Sequence, residues 1–199
     1  GFVESQGIRL GIVEGPREAT LTFAQGWALT AGRFHHLQLN LGLYELTHLK
    51  MVDLEGGRLY QATEAHRERL TEYITGFCRD CFPEQPMAQE MIEARVTRFI
   101  TQRRAHFWQT SDQELVAMAA VVRESPNTAS ISWVYTAPSH RKRGYAARIV
   151  AALSQAQLDD GKRACNLHTD LSNPTSNGVY RRIGYEQIAE RINVKLGHH

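Results

Sequence analysis

The sequence predicts an α/β fold with a sheet of mixed strand direction, preceded by a small strand–helix–strand half-domain. Two patterns carry this. Leu37, Leu39, Leu41 and Leu43 alternate strictly with Gln38, Asn40 and Gly42, the period of a strand with one buried face. From residue 58 the apolar period switches between 2 and 3.6, in the order strand, two helices, three strands, helix, strand, helix, strand. That order specifies helices packed on a mixed sheet. Gly56 and Gly57 mark the change of pattern, so residues 1–55 are the half-domain and residues 56–197 the main domain.

Within the half-domain, residues 8–13 are short and apolar, and Gly15 and Pro16 turn the chain. Leu21, Phe23, Ala24, Trp27 and Ala28 then recur at helical spacing up to a stop at Gly32. The strand edges of such a fragment must dock, on the main domain or on a second copy as a homodimer. In the main domain residues 58–61 form a short strand. Thr63 caps a helix carrying Leu70, Tyr73, Ile74 and Phe77 on one side. A second helix follows Pro86, with Met91, Ile92, Val96 and Ile100 inward. Residues 106–110 and 115–122 make a hairpin around Ser111 and Asp112. Ser125, Pro126 and Asn127 turn into a strand over 130–136, and a helix runs from Tyr145 to Asp160 and stops at Gly161. A strand over 164–169, a short helix over 175–183 and a strand-like segment over 185–196 complete the chain.

Bulk properties narrow the function classes. A chain of 199 residues holds one domain and an appendage. Its 42% apolar and 22% charged residues are those of a soluble globular protein. The 23 basic and 21 acidic residues leave a net charge of +2, too small to imply a nucleic acid partner. The longest apolar run, residues 116–122, falls far short of the roughly 20 residues that cross a bilayer, and no signal peptide pattern is visible. No membrane partner is expected. A start at Gly1 without Met, inside strand-like sequence, points to a truncated or processed chain, and Gly197, His198 and His199 read as a tag remnant rather than a metal site. Three cysteines give no disulfide framework. Cys78 and Cys81 follow a helical stretch ending near Phe77, the wrong end for a dipole-activated thiol, and no zinc-spaced partner accompanies them. They are read as semi-buried structural thiols in a reducing, cytoplasmic setting, with no metal.

The chemistry concentrates in residues 134–185. A strand ends at Pro138, and a turn delivers Arg141, Lys142, Arg143, Gly144, Tyr145 and Ala146 into the start of a helix. Helix N-termini expose unpaired N–H groups and a positive dipole end, and so bind phosphates. Gly144 lets the backbone curl around an anion, and Ala146 keeps the approach open. The loop is neither a Walker A loop nor G-x-G-x-x-G. A basic surface turn ahead of an amphipathic helix explains it equally well on its own. About 30 residues later comes L-H-T-D-L-S-N-P-T-S-N-G-V-Y-R-R-I-G-Y, residues 167–185. Asn173 precedes Pro174 at a helix start and can cap it. Tyr180 lies two turns on, along the same face. Each has an ordinary reading, as a cap and as a packed aromatic; their joint occurrence after the basic loop favours a shared site.

At R-K-R-G-Y-A and N-P-T-S-N-G-V-Y the chain resembles the GNAT superfamily of acyl-CoA-dependent N-acetyltransferases. The resemblance extends over residues 58–196, including element order, and implies a mostly antiparallel central sheet flanked by helices. Ala146 replaces the commoner second glycine of the loop, and Ser176 stands where alanine is usual. The half-domain looks like the partial leading repeat of some bacterial members. Acetyl-CoA is the implied co-substrate, without a metal. Backbone groups of Val134, Tyr135 and Thr136 would pair with its pantetheine arm, one amide polarising the thioester carbonyl. The N–H groups from Arg141 through Ala146 would hold the pyrophosphate. Asn173 would contact the pantetheine amides, with Ser176 also counted among the cofactor-binding residues. Tyr180 would protonate the departing thiolate.

A small-molecule or peptide amine would attack the thioester directly, so catalysis would be mostly positioning. His168, Asp170, Tyr135 and a water chain all remain candidate bases. Alternatives are a longer acyl-CoA or an amino-acid acceptor, and a non-catalytic CoA-binding sensor.

Overall fold

The structure, a computed structural model, describes residues 10–29, 32–50, 52–84 and 86–198. Residues 8 and 9 of the first predicted strand, and His199, lie outside the described residues. The elements are β1 (Ile12–Pro16), α1 (Arg17–Ala28), β2 (Arg33–Leu46), β3 (Gly57–Gln61), α2 (Arg67–Cys81), α3 (Gln89–Thr101), β4 (Ala105–Thr110), β5 (Leu115–Glu124), β6 (Thr128–Thr136), α4 (Tyr145–Asp159), β7 (Ala164–Asp170), α5 (Pro174–Ile183) and β8 (Glu186–His198). The fold is mixed α/β, its sheet mostly antiparallel and flanked by helices, in the order the periodicities predict. Two compact units share these elements without a single cut in the chain. One holds the described residues up to Tyr44 with His168–Gly178 and residues 187–198, the other the described residues of Glu45–Leu167 with Val179–Glu186.

In the first unit β1 pairs antiparallel with β8, from Ile12↔Lys195 to Pro16↔Arg191. The first strand of the predicted half-domain is therefore paired with the chain's own last strand. Ala24 and Trp27 of α1 pack with Ile192, Val194 and Leu196 of β8. The alternating Leu37, Leu39, Leu41 and Leu43 are not the buried face: Gly42, Tyr44 and Leu46 are buried, whereas Leu37 is 40% exposed. Alternation shows that two faces differ but not which one is covered, and here Tyr44 fills the interior and donates to Gln187 Oε1 at 3.3 Å.

In the second unit the strand order is β7-β6-β5-β4-β3, antiparallel except for the parallel β6–β7 pair. Leu70, Tyr73 and Ile74 of α2 bury the predicted face against Phe107, Met118 and Tyr135, each large apolar side chain stabilising by about 1.5–3 kcal/mol. On α3 the inward residues are Ile92, Val96 and Phe99, at i, i+4 and i+7. Met91 sits a hundred degrees off that stripe and is 58% exposed, contrary to expectation. Helix α2 continues to Cys81, past the predicted end at Phe77, and leaves Cys78 buried and Cys81 exposed. Behind the sheet α4 buries Ile149, Val150 and Leu153, and its Ser154 donates to Val150 O at 2.7 Å while sharing a 2.8 Å bond with the buried Tyr185 hydroxyl. No helix of the described residues is long and apolar enough to cross a membrane.

Candidate active site

A bulge in β6 shapes the candidate site. Between Ala120↔Ser132 and Met118↔Tyr135 the ladder gains a residue on β6, and Trp133 in that bulge has φ 57. A bulky residue in the left-handed region is strained, and such strain clusters at functional positions. On its other edge β6 pairs with β7 only from Thr128↔Ala164 to Ser130↔Asn166. Val134, Tyr135 and Thr136 lie beyond that pair. They keep a β5 neighbour, with Ala117↔Thr136 and Met118↔Tyr135, but have no β7 partner. A row of strand N–H and C=O groups without a neighbouring strand, here with only the Thr136 carbonyl taken by Arg141 Nε, is a template for an extended chain.

This open edge runs straight into the basic loop. A single 3-10 turn, Pro138–His140, leads to Arg141 in extended conformation, Lys142 at φ 63 and Gly144 at φ 82. Gly144 is the N-cap of α4, and no side chain caps the helix. Its first N–H groups are thus available to an anion, and left-handed residues interleaved with ordinary ones make such groups converge. Lys142, Arg143 and Gly144 are exposed, and Tyr145 and Ala146 half-buried. Arg148 braces the turn, donating to Arg143 O at 3.4 Å and pairing with Asp53 at 2.9 Å.

Arg141 departs from the expected triple cation. Its Nε donates to Thr136 O at 3.1 Å, its Nη2 pairs with Asp80 at the end of α2, and its guanidinium lies 5.5 Å from the Tyr135 ring centroid. Burial alone would raise the Asp80 pKa, but hydrogen bonds from Arg141 and Arg79 outweigh it and hold the carboxyl below its usual value. Arg141 is a strut joining α2 to the end of β6. Lys142 and Arg143 make no ion pair among the described residues and carry the loop's available charge. Tyr135 is buried, edge-on to Tyr73 at 5.4 Å. It fits because residue 76 of α2 is glycine: a Cβ there would stand 2.5 Å from Tyr135 Cζ and closer still to its hydroxyl.

Tyr180, in the last turns of α5, is only 9% exposed, its ring 6.1 Å from that of Tyr185. Burial, reinforced by the nearby Cys81 thiol, pushes its phenol up to about 12. In the first unit, Asn173 Oδ1 accepts the Ser176 N–H at 3.1 Å and so caps α5, and its own N–H donates to Asp170 O at 3.0 Å. The Asp170 carboxylate accepts from the N–H and hydroxyl of Ser172, both at 2.8 Å, which makes it a turn-holding group. His168 is exposed. Asn177 donates to the carbonyls of Asp170 and Leu171 at 3.2 Å, while its buried Oδ1 has no partner. Trp133, Asp80, Gly76 and Asn177 escaped the reading from sequence. Only Gly76, a glycine inside a helical pattern, carried a signal.

Residues 110–194 match the FR47-like protein family. No curated protein matches the sequence. Among solved structures, an acetyltransferase from the GNAT family of Colwellia psychrerythraea aligns over 94% of this chain and 64% of its own, at 16% identity and TM-score 0.64. The chain thus spans less than two thirds of that protein. A GCN5-related N-acetyltransferase from Kribbella flavida aligns over 92% of this chain and 67% of its own, at 21% identity and TM-score 0.60. The aminoglycoside N-acetyltransferase AAC(6')-Iy, in complex with CoA, covers 68% of this chain and 93% of its own, at 18% identity and TM-score 0.51. The chain therefore shares the fold of these GNAT acetyltransferase structures, and its residues 110–194 match the FR47-like family.

Proposed function

We propose that the chain is an acetyl-CoA-dependent N-acetyltransferase acting on a primary amine, with its catalytic part in residues 56–197. The observation that carries this is the continuity of the unpaired 134–136 edge of β6 with the uncapped N-terminus of α4. Acyl-CoA is a chain of amides ending in a pyrophosphate, and these two features match its two halves in order. The structure of AAC(6')-Iy with CoA supports the same class of co-substrate.

Acetyl-CoA supplies the activated acetyl group. Val134, Tyr135 and Thr136 align its amide arm through their backbone, and a backbone N–H there polarises the carbonyl. The N–H groups of residues 141–146, with Lys142 and Arg143, hold the pyrophosphate. Asn173 offers its Nδ2, since its Oδ1 is used by the cap, and the Ser176 hydroxyl lies in the same turn. Tyr180 acts on the leaving sulfur. A phenol near 12 holds its proton more tightly than a thiol of about 8.5, so it stabilises the departing thiolate as a hydrogen-bond donor.

Two measurements test this. At about 100 Kd, acetyl-CoA stabilises the fold by about 2.7 kcal/mol, a rise of about 5–10 °C in Tm. Mass spectrometry with an amine panel then detects the acetylated product. No thermal shift at millimolar acetyl-CoA overturns the proposal.

A further inference from the structure

The second unit contains a hollow of about 380 Å³ between the end of α2 and the start of α3. Cys78, Phe82, Pro86, Met87, Ala88 and Met91 line it, with no charged side chain among them. Its size is that of a small-ligand pocket. Aromatic contacts lead from it to the bulge in β6: Phe82 meets Phe77 at 6.2 Å, and Phe77 meets Trp133 at 4.8 Å. Trp133 is the residue before Val134, where the free edge of β6 begins. These contacts connect the hollow to Trp133, next to the edge of β6 assigned to the thioester.

A cation lies near this lining. Arg95 follows Met91 by one turn of α3, and its guanidinium lies 5.2 Å from the Trp133 ring centroid and 5.9 Å from that of Phe99. Its charge reaches the Cys78 thiol, a lining group. Arg95 is half-buried, and among the described residues no carboxylate pairs with it. A partly desolvated guanidinium beside an indole, without a carboxylate partner, suits a carboxylate ligand.

We infer that the acceptor is an α-amino acid with a large apolar side chain, its body in the hollow and its carboxylate on Arg95. This rests on the acetyltransferase reading and names its substrate class. In the transfer the amino nitrogen bonds to the acetyl carbon, and the carbon–sulfur bond breaks with its electron pair on sulfur. The proton lost by nitrogen balances the one gained by the thiolate. An apolar body alone would fit the hollow equally well without the carboxylate, so the charge of Arg95 is what separates an amino acid from a simple amine.

The test compares leucine, leucinamide, 3-methylbutylamine and glycine as acceptors, following CoA thiol release and product mass. Leucine should exceed both 3-methylbutylamine and leucinamide by about tenfold in kcat/KM, the size of one charge-assisted contact. Glycine, lacking the apolar body, should fall below leucine by a similar factor. Arg95→Met should bring the ratio of leucine to 3-methylbutylamine close to one through the KM for leucine, while Arg95→Lys restores most of it. Met91→Glu, at an exposed position that tolerates change, should also reduce the preference by placing a carboxylate one turn from Arg95; it carries the test if Arg95→Met fails to fold. Equal or better use of the amine or the amide, or a ratio unchanged in these variants, overturns the inference alone. Absence of both an acetyl-CoA thermal shift and transfer to any amine overturns the acetyltransferase reading, and the inference with it.

Discussion

Gly76→Ala gives opposite signs under two explanations. An alanine in the middle of α2 should stabilise the helix by about 1 kcal/mol if only backbone propensity matters. The structure predicts the reverse. A Cβ at position 76 stands 2.5 Å from Tyr135 Cζ, and Tyr135 is held by Tyr73 at 5.4 Å and by the Arg141 guanidinium at 5.5 Å. The ring must move by close to an ångström to restore contact distance, in a site without free space. Overpacking of this kind costs about 1–3 kcal/mol, and loss of the aromatic pair adds about 0.5–1.5 kcal/mol. After the propensity gain, the net loss is about 1–3 kcal/mol, or about 3–10 °C in Tm for a protein of this size. Because Tyr135 lies on the open edge of β6, acetyl-CoA affinity should fall as well. Thermal unfolding with and without acetyl-CoA measures both, and Tyr135→Ala in the same background should recover part of the loss caused by the clash. A Tm equal to or above that of the parent protein, with unchanged cofactor affinity, refutes the reasoning.

Tyr180→Phe should lower kcat by about a hundredfold, the usual loss for one donor aimed at developing charge, with little change in acetyl-CoA affinity; undiminished turnover would remove Tyr180 from the chemistry. Because its phenol is pushed up to about 12, the rate should show no alkaline fall below pH 10 that Tyr180→Phe abolishes. The same shift has a stability consequence. The folded pKa lies above the unfolded value of about 10, so the buried neutral phenol stabilises fully below pH 10 and loses that contribution as the pH rises toward 12. Tyr180→Phe should flatten this part of the pH–stability curve. Asp80→Ala and Arg141→Ala should each weaken acetyl-CoA binding by a similar few-fold factor, and the double variant no further, because the pair braces one loop. The partners are largely exposed, so Tm should hardly change. A large effect of Arg141→Ala with none of Asp80→Ala would show that Arg141 contacts phosphate directly.

Local sequence determined the elements of the main domain, because each is short, periodic and bounded by turn residues. The basic loop and the 173–185 segment were legible for the same reason: Gly144, Pro174 and Gly184 act through backbone conformation, which neighbours in the chain dictate. Asn173 as a helix cap is likewise a local fact, three residues wide. Choices between faces and partners were not legible. Period 2 in β2 does not say whether the leucines or Tyr44 face inward, and Met91 and Ile92 compete for one stripe until the helix is docked. Tertiary structure alone bound Arg141 to Asp80, 61 residues away, leaving Lys142 and Arg143 as the loop cations without an ion pair among the described residues. It alone put a left-handed Trp133 into β6 and ended the β6–β7 ladder at Ser130. Long-range pairing decides such features, since a residue's charge or ring is visible in sequence while the group that occupies it is not.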